Sequence, residues 1–205
     1  MFYEPRLNNS GMAIDPVKSL VVPRPIGWIS SVDLQGRVNV APFSFFNLVA
    51  DDPPMVMFAA NGRKSNGEIK DSKLNAETVG AFVANLATWD LKDQMNATAS
   101  QLGAGINEAE VAGLELVPSN IVAPPRIAAS PVALECRYLQ TVDLPTGTPD
   151  QPNCLVIGEV IGIHIDEKLI TEDGRVDITR VKPIARMGYS LYTVVTETFR
   201  MVRPK

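Results

Sequence analysis

The hydrophobic pattern along the chain predicts a protein built mainly from strands. Residues Ile26 to Phe46, IGWISSVDLQGRVNVAPFSFF, form two β-rich runs separated by Asp33-Leu34-Gln35-Gly36, where Asp and Gly supply turn chemistry, and a hairpin is expected. MVMFAA (Met55 to Ala60) and AFVANLA (Ala81 to Ala87) are short, nearly continuous apolar runs of strand length, as expected for central strands covered on both faces. VALECRYLQTV (Val132 to Val142) and CLVIGEVIGIHID (Cys154 to Asp166) flank the loop LPTGTPDQPN (Leu144 to Asn153) and predict a long hairpin with a mobile tip. In the second of these strands Leu155, Ile157, Ile161, Ile163 and Ile165 share one face. Gly158, Gly162 and His164 share the other with Val156 and Val160, where the glycines admit a close neighbour. A last strand is expected over Thr193 to Val202, after a break at Gly188.

Helical pattern is scarce. Asp71 to Val79 predicts one short helix, and Trp89 to Ser100 another, with Leu91, Met95 and either Asn96 or Ala99 on one face. Asn107 with Glu110 resembles a capping pair opening a single surface turn that Gly113 ends. Many strands with few short helices predict an antiparallel sheet closed into a β-barrel, since closure removes exposed edges.

Composition narrows this picture. With 205 residues, 45% hydrophobic and 20% charged, the chain carries enough apolar material for one sizeable core, and a single unit over residues 1–205 is expected. The net charge of −4 is mild and evenly spread, which argues against nucleic-acid binding. No apolar run approaches the about 18 residues that span a bilayer, and the N-terminus has no signal-peptide pattern, so no membrane association and a cytoplasmic location are expected. Cys136 and Cys154 both sit in strand-like runs and read as small buried hydrophobes, with neither a disulfide framework nor a metal site implied.

The candidate chemistry starts from what is missing. A hydrolytic triad needs a base beside its nucleophile, yet the one histidine, His164, lies mid-strand and reads as a strand-face residue, and no GxSxG occurs. No GxGxxG joins a strand to a helix, so a Rossmann site is not supported. Scarcity of acid–base and metal machinery points to chemistry performed by a bound cofactor that the protein positions. Asn61 to Asn75, NGRKSNGEIKDSKLN, runs from a strand into a helix through Arg63, Lys64, Lys70, Asp71 and Ser72. Such a loop is either an ordinary solvated connection or a phosphate site at a helix N-terminus. In APFSFFN, Ser44 and Asn47 interrupt an aromatic strand end; backbone groups or the polar edge of a flat heterocycle could satisfy them. Trp28, Phe43, Phe45 and Phe46 either line that pocket or fill the core.

Taken in order, the segments PRPIGWISSVDLQGRVNVAPFSFFN, DPPMVMF, KDSKLNAETVGAFVANL, MNATA, PPRIAASPVALECR, LVIGEVIGIHID and PIARMGYSLY resemble the flavin reductase-like domain family, which includes flavoredoxin and the flavin reductase components of two-component monooxygenases. The resemblance covers most of the chain. It implies a mainly β, Greek-key-like FMN-binding split barrel with a few short peripheral helices, a homodimer that binds FMN at its two-fold interface, and NAD(P)H as the co-substrate that delivers hydride. On the same resemblance Lys70, Asp71 and Ser72, with Arg63 and Lys64, hold the phosphate and ribityl chain. Phe43, Ser44, Phe45 and Asn47 face the isoalloxazine, and Trp28, Ile29 and Ser30 form a neighbouring wall. Arg186, Gly188, Tyr189 and Tyr192 lie near the ring or the nicotinamide entry. Ser72 stands for the threonine of a KDT-like motif and keeps its hydroxyl, whereas Tyr189 replaces the second glycine of the commoner RxGGxxY form. The implied activity is NAD(P)H:flavin reduction, with a monooxygenase as a possible recipient of reduced flavin. The alternatives are an FMN electron carrier, a reductase with another donor or substrate, a pyridoxamine-phosphate-oxidase-like enzyme, and a flavin-binding dimer without turnover.

Overall fold

The computed structural model describes residues 1–7, 9–100 and 107–204. Its strands are β1 (Arg24–Pro25), β2 (Gly27–Val32), β3 (Val38–Phe43), β4 (Phe46–Asp51), β5 (Pro54–Ala59), β6 (Ala81–Leu86), β7 (Leu116–Val117), β8 (Arg126–Ile127), β9 (Val132–Leu144), β10 (Asn153–Ile165), β11 (Ile184–Gly188) and β12 (Leu191–Val194). The helices are α1 (Val17–Leu20), α2 (Asp71–Val79), α3 (Lys92–Ala97), α4 (Glu108–Val111) and α5 (Ile178–Val181). The main sheet has seven antiparallel strands in the order β3-β2-β6-β9-β10-β5-β4; β1, β11 and β12 form a second sheet and β7 with β8 a third.

The connectivity makes the main sheet a barrel. β3 and β4 are its two outer strands, yet only Ser44 and Phe45 separate them in sequence. Two residues reach at most about 10 Å, so the sheet has to curl until its edges meet. A contact across the closure agrees: a Cβ on Gly27 in β2 would stand 2.4 Å from the Phe46 ring of β4. Among the described residues no β3–β4 ladder closes the seam, so the barrel is split there.

Ile29, Phe43, Val56, Phe58, Phe82, Cys136, Cys154 and Val156 belong to one buried cluster, in which the Phe58 ring centre lies 4.8 Å from that of Phe43, tilted by 45°, and 5.2 Å from that of Phe82, edge-on. Full burial of each such ring is worth about 1.5–3 kcal/mol. A second cluster, including Ile26, Trp28, Val40, Met95, Ile127 and Ile184, ties the small sheet, α3 and α4 to the barrel. The glycine face of β10 is the buried face, and it admits the close neighbour expected of it: a Cβ on Gly158 would meet Phe82 at 2.6 Å. Both thiols are buried and unpaired, and burial pushes each of them up.

Several expectations need correction. The last strand is Leu191–Val194 rather than Thr193–Val202, because β12 pairs with β11 only as far as Val194 and the chain beyond finds no partner strand. The helix expected over Trp89 to Ser100 is a 3₁₀ turn at Trp89–Leu91 followed by α3. Leu91 and Met95 are buried as expected, but Thr98, not Asn96 or Ala99, completes the inward face by binding the Trp28 indole N–H at 2.9 Å. The turn at Asn107 is no bystander on the surface. Asn107 caps α4 and Ala109 is fully buried, which brings Glu108 against β3. Nor does the β9–β10 loop end in a free tip: Gly62 N–H donates to the Pro152 carbonyl at 2.7 Å, and Arg63 donates to the Asp150 carbonyl at 2.8 Å.

Candidate functional site

Two adjoining cavities, of about 150 and 280 Å³, open along the barrel seam and share Pro42, Phe43 and Lys70. Ligand pockets begin at about 300 Å³, and the two together reach that size.

The smaller cavity lies at the start of α2. Lys70 is the extended residue before the helix, so the first amides of α2 have no intrahelical acceptor and carry the positive end of its dipole. Ser72 is buried and accepts from Asn39 Nδ2 at 2.9 Å, which leaves its hydroxyl proton to donate. Lys64 is 2.9 Å from Asp71 and 2.8 Å from Glu68. Burial works against the Lys64 ammonium, but these two carboxylates outweigh it and raise its pKa. Arg63 is spent on backbone carbonyls of Asp150 and Gly67. Glu108, held by the Val40 N–H at 3.3 Å, is raised above the usual carboxylate range by burial. This mixture of donors and acceptors suits a polyol carrying a phosphate better than it suits an anion alone.

Lys70 stands between the cavities with its Nζ 5.9 Å from the Phe43 ring centre, and burial lowers its pKa. An ammonium in that position gains from an anionic partner. In the larger cavity Ser44 and Phe45 come from the seam and Arg186, Gly188 and Tyr189 from the β11–β12 turn. Gly188 has φ +90°, and a Cβ there would stand 2.8 Å from Ser19 Cα, so the turn lies directly on α1. Tyr189 follows with φ +48°, the left-handed region that glycine adopts freely, so the tyrosine holds a position glycine would occupy without cost.

Eleven of the sixteen residues singled out in the sequence line these cavities: Phe43, Ser44, Phe45, Arg63, Lys64, Lys70, Asp71, Ser72, Arg186, Gly188 and Tyr189. The other five do not. Trp28, Ile29 and Ser30 are fully buried, and Ser30 donates to the Pro125 carbonyl while accepting from Asn85 Nδ2. They form the packed sheet beneath the site, not its wall. Asn47 is exposed on β4 and accepts from the Leu48 N–H at 2.9 Å, which is the backbone solution to its polarity. Tyr192 stands behind Arg186, with its hydroxyl 2.5 Å from Nη1.

Residues 19–180 match the model of the flavin reductase like domain. The chain belongs to the flavin reductase like domain family. Its relatives in this family include an uncharacterized protein of Aquifex aeolicus, 35% identical over 176 residues that cover 86% of each chain. Among solved structures, nitrilotriacetate monooxygenase component B from Bacillus cereus is 31% identical with a TM-score of 0.82, over 94% of this chain and 100% of that one. The 2-nitrobenzoate 2-nitroreductase of Pseudomonas fluorescens is 30% identical with a TM-score of 0.79, over 92% and 88%. Flavoredoxin of Desulfovibrio vulgaris, at 19% identity and a TM-score of 0.76 over 98% and 97%, shares the fold.

Within the flavin reductase like frame, the sequence reading missed Lys18, Arg24, Asn39, Asn61 and Glu108, all of which line the cavities. Arg24 had a faint signal. It alternates with Ile26 and Trp28, both buried, so a charged residue stands on an inward-facing register. Among the described residues no helix is long and apolar enough to cross a membrane, and no cluster of His, Cys, Asp or Glu could hold a metal.

Proposed function

We propose that the chain is an FMN-binding oxidoreductase, acting as an NAD(P)H:flavin reductase and able to supply reduced flavin to a partner monooxygenase. The carrying observation is the trough along the barrel seam, with hydroxyl, amide and cationic donors at the α2 end and guanidinium groups beside exposed aromatic rings at the other. Bound FMN would supply the redox chemistry, as the acceptor of hydride from a reduced nicotinamide. The chain's own residues bind and orient. The first amides of α2, the Ser72 hydroxyl and the Lys70 ammonium would hold the phosphate; Asp71 and Glu108 are acceptors for ribityl hydroxyls. Phe43, Ser44 and Phe45 would bound the ring, with Arg186 and Tyr189 on the approach of the second reactant. No side-chain acid or base is asked to move a proton, in keeping with catalysis by orientation.

A homodimer belongs to this reading. The outer face of β10 and the outer strand β4, with β5 between them, carry exposed apolar residues, with Ile163 at 59% and Leu48 at 57% exposure, as a subunit interface would.

Replacing Lys70 with Ala is expected to weaken FMN binding by about 1.5–3 kcal/mol through loss of a charge-assisted contact. Fluorescence titration with FMN measures it, and unchanged affinity would remove Lys70 from the site. An anaerobic absorbance scan of the FMN-loaded protein tests the activity. Rapid bleaching by NADH or NADPH is expected. Bound flavin that stays oxidised with both would favour an electron carrier or a reductase with another donor, a reading that the half-exposed Tyr189 on the cavity rim supports.

A further inference from the structure

Arg24 and Arg186 are directly opposite each other in the antiparallel pairing of β1 with β11. Like charges in that register repel, and a protein concerned only with stability would avoid them. No carboxylate compensates the pair. Among the described residues neither guanidinium makes an ion pair. Arg24 is 8% exposed, and its Nε is buried without a hydrogen-bond partner. Its Nη1 donates to the Lys18 and Val21 carbonyls, and Arg186 donates to the Tyr189 carbonyl and the Tyr192 hydroxyl. The charges lean on aromatic faces instead: Arg24 is 5.4 Å from the Phe45 ring centre and Arg186 4.6 Å from that of Tyr192. Burial and the neighbouring Arg186 both lower the Arg24 pKa, which records the cost of the arrangement.

The larger cavity gathers this pair with Lys18 and Lys70 and has no carboxylate in its lining, whereas the smaller one includes Asp71 and Glu108. A concentration of positive charge around one buried guanidinium with an unused donor is suited to an oxyanion. Phe45 and Tyr189, 37% and 49% exposed, add aromatic surface beside it. We propose that Arg24 and Arg186 form an oxyanion subsite that receives the carboxylate or phosphate of a small planar molecule, separate from the flavin phosphate site at α2. That this molecule is the second reactant rests on the flavin reading; the anion site itself does not.

The test is calorimetric titration of the full chain, without added flavin, with benzoate, its neutral isostere benzamide, and nicotinamide mononucleotide, alongside fluorescence titration with FMN. At least one of the two anions is expected to bind at least tenfold more tightly than benzamide, and Arg186→Gln to weaken that binding at least tenfold. Binding of benzoate alone identifies a small carboxylate as the ligand, and binding of the mononucleotide alone a nucleotide phosphate. Arg24→Gln is the companion variant, judged only if its circular dichroism is native; the half-buried Arg186 decides the matter otherwise. Equal binding of benzoate and benzamide, no effect of Arg186→Gln, or no binding of either anion overturns the subsite. If neither anion binds and Arg186→Gln weakens FMN instead, the pair serves the flavin phosphate and the proposal also fails. FMN failing to bind while an anion does would overturn the flavin reading and leave the subsite standing.

Discussion

Glu135 lies on β9 with no exposed surface, and its carboxylate accepts from the backbone N–H groups of Asn120, Ile121 and Val122 at 2.7, 2.7 and 3.0 Å, with His164 Nε2 at 2.5 Å. Burial alone would raise its pKa, but the bonds from His164 and the three amides prevail and bring it down to about 2. A carboxylate depressed on folding contributes stability above its unfolded value of about 4.3, and that contribution disappears as pH falls through the folded value. Acid titration of the folded state, followed by circular dichroism, should therefore show stability declining from about pH 4 towards pH 2. Glu135→Gln should remove most of that dependence while destabilising the protein at neutral pH by about 1–3 kcal/mol, since an amide cannot accept as many bonds. The sequence marks Glu135 only as a charge inside an apolar run. Its three amide partners lie 13 to 15 residues upstream in an irregular segment, and no local pattern announces them.

At the scale of elements, legibility followed apolar content. β2, β3, β5, β6, β9 and β10 are runs whose alternation or continuity reflects burial that the fold then supplies. β1 and β4 are edge pieces, and their strand state comes from pairing rather than from composition. TVVTETF near the C-terminus has strong β-propensity and still leaves the sheet after Val194, because propensity without a neighbouring strand decides little. The site was legible where charge and hydroxyl groups met a helix start, as at Lys70 and Ser72. It was faint at Arg24, marked only by alternation with buried Ile26 and Trp28, because its charged neighbour lies 162 residues away in the register Arg24↔Arg186. Glycines in β10 give an element-level prediction. Gly158→Ala places a Cβ 2.6 Å from Phe82 and 3.1 Å from the Arg137 carbonyl, so strand and ring must shift. Overpacking of this kind should cost about 1–3 kcal/mol, read as a lower denaturation midpoint with unchanged m-value.

For the molecule as a whole, ligand and fold are linked through the seam. β3 and β4 are joined by covalent chain and by packing but not by a ladder, and the trough runs along that gap. A ligand bound there only in the native state stabilises it by about 2.7 kcal/mol at a hundred times its dissociation constant. In a chain of this size that corresponds to a rise in melting temperature of about 5–10 °C. Differential scanning calorimetry with and without FMN measures it, and the rise should be smaller in Lys70→Ala at the same FMN concentration. The split also separates two kinds of inheritance. Residues inside the ladders, and Gly188 against α1, answer to register and packing, whereas the side chains of Ser44, Phe45 and Tyr189 answer mainly to whatever molecule lies beside them. A barrel with such an opening can exchange one guest for another by editing a few positions at its lips, and its staves need not be recut.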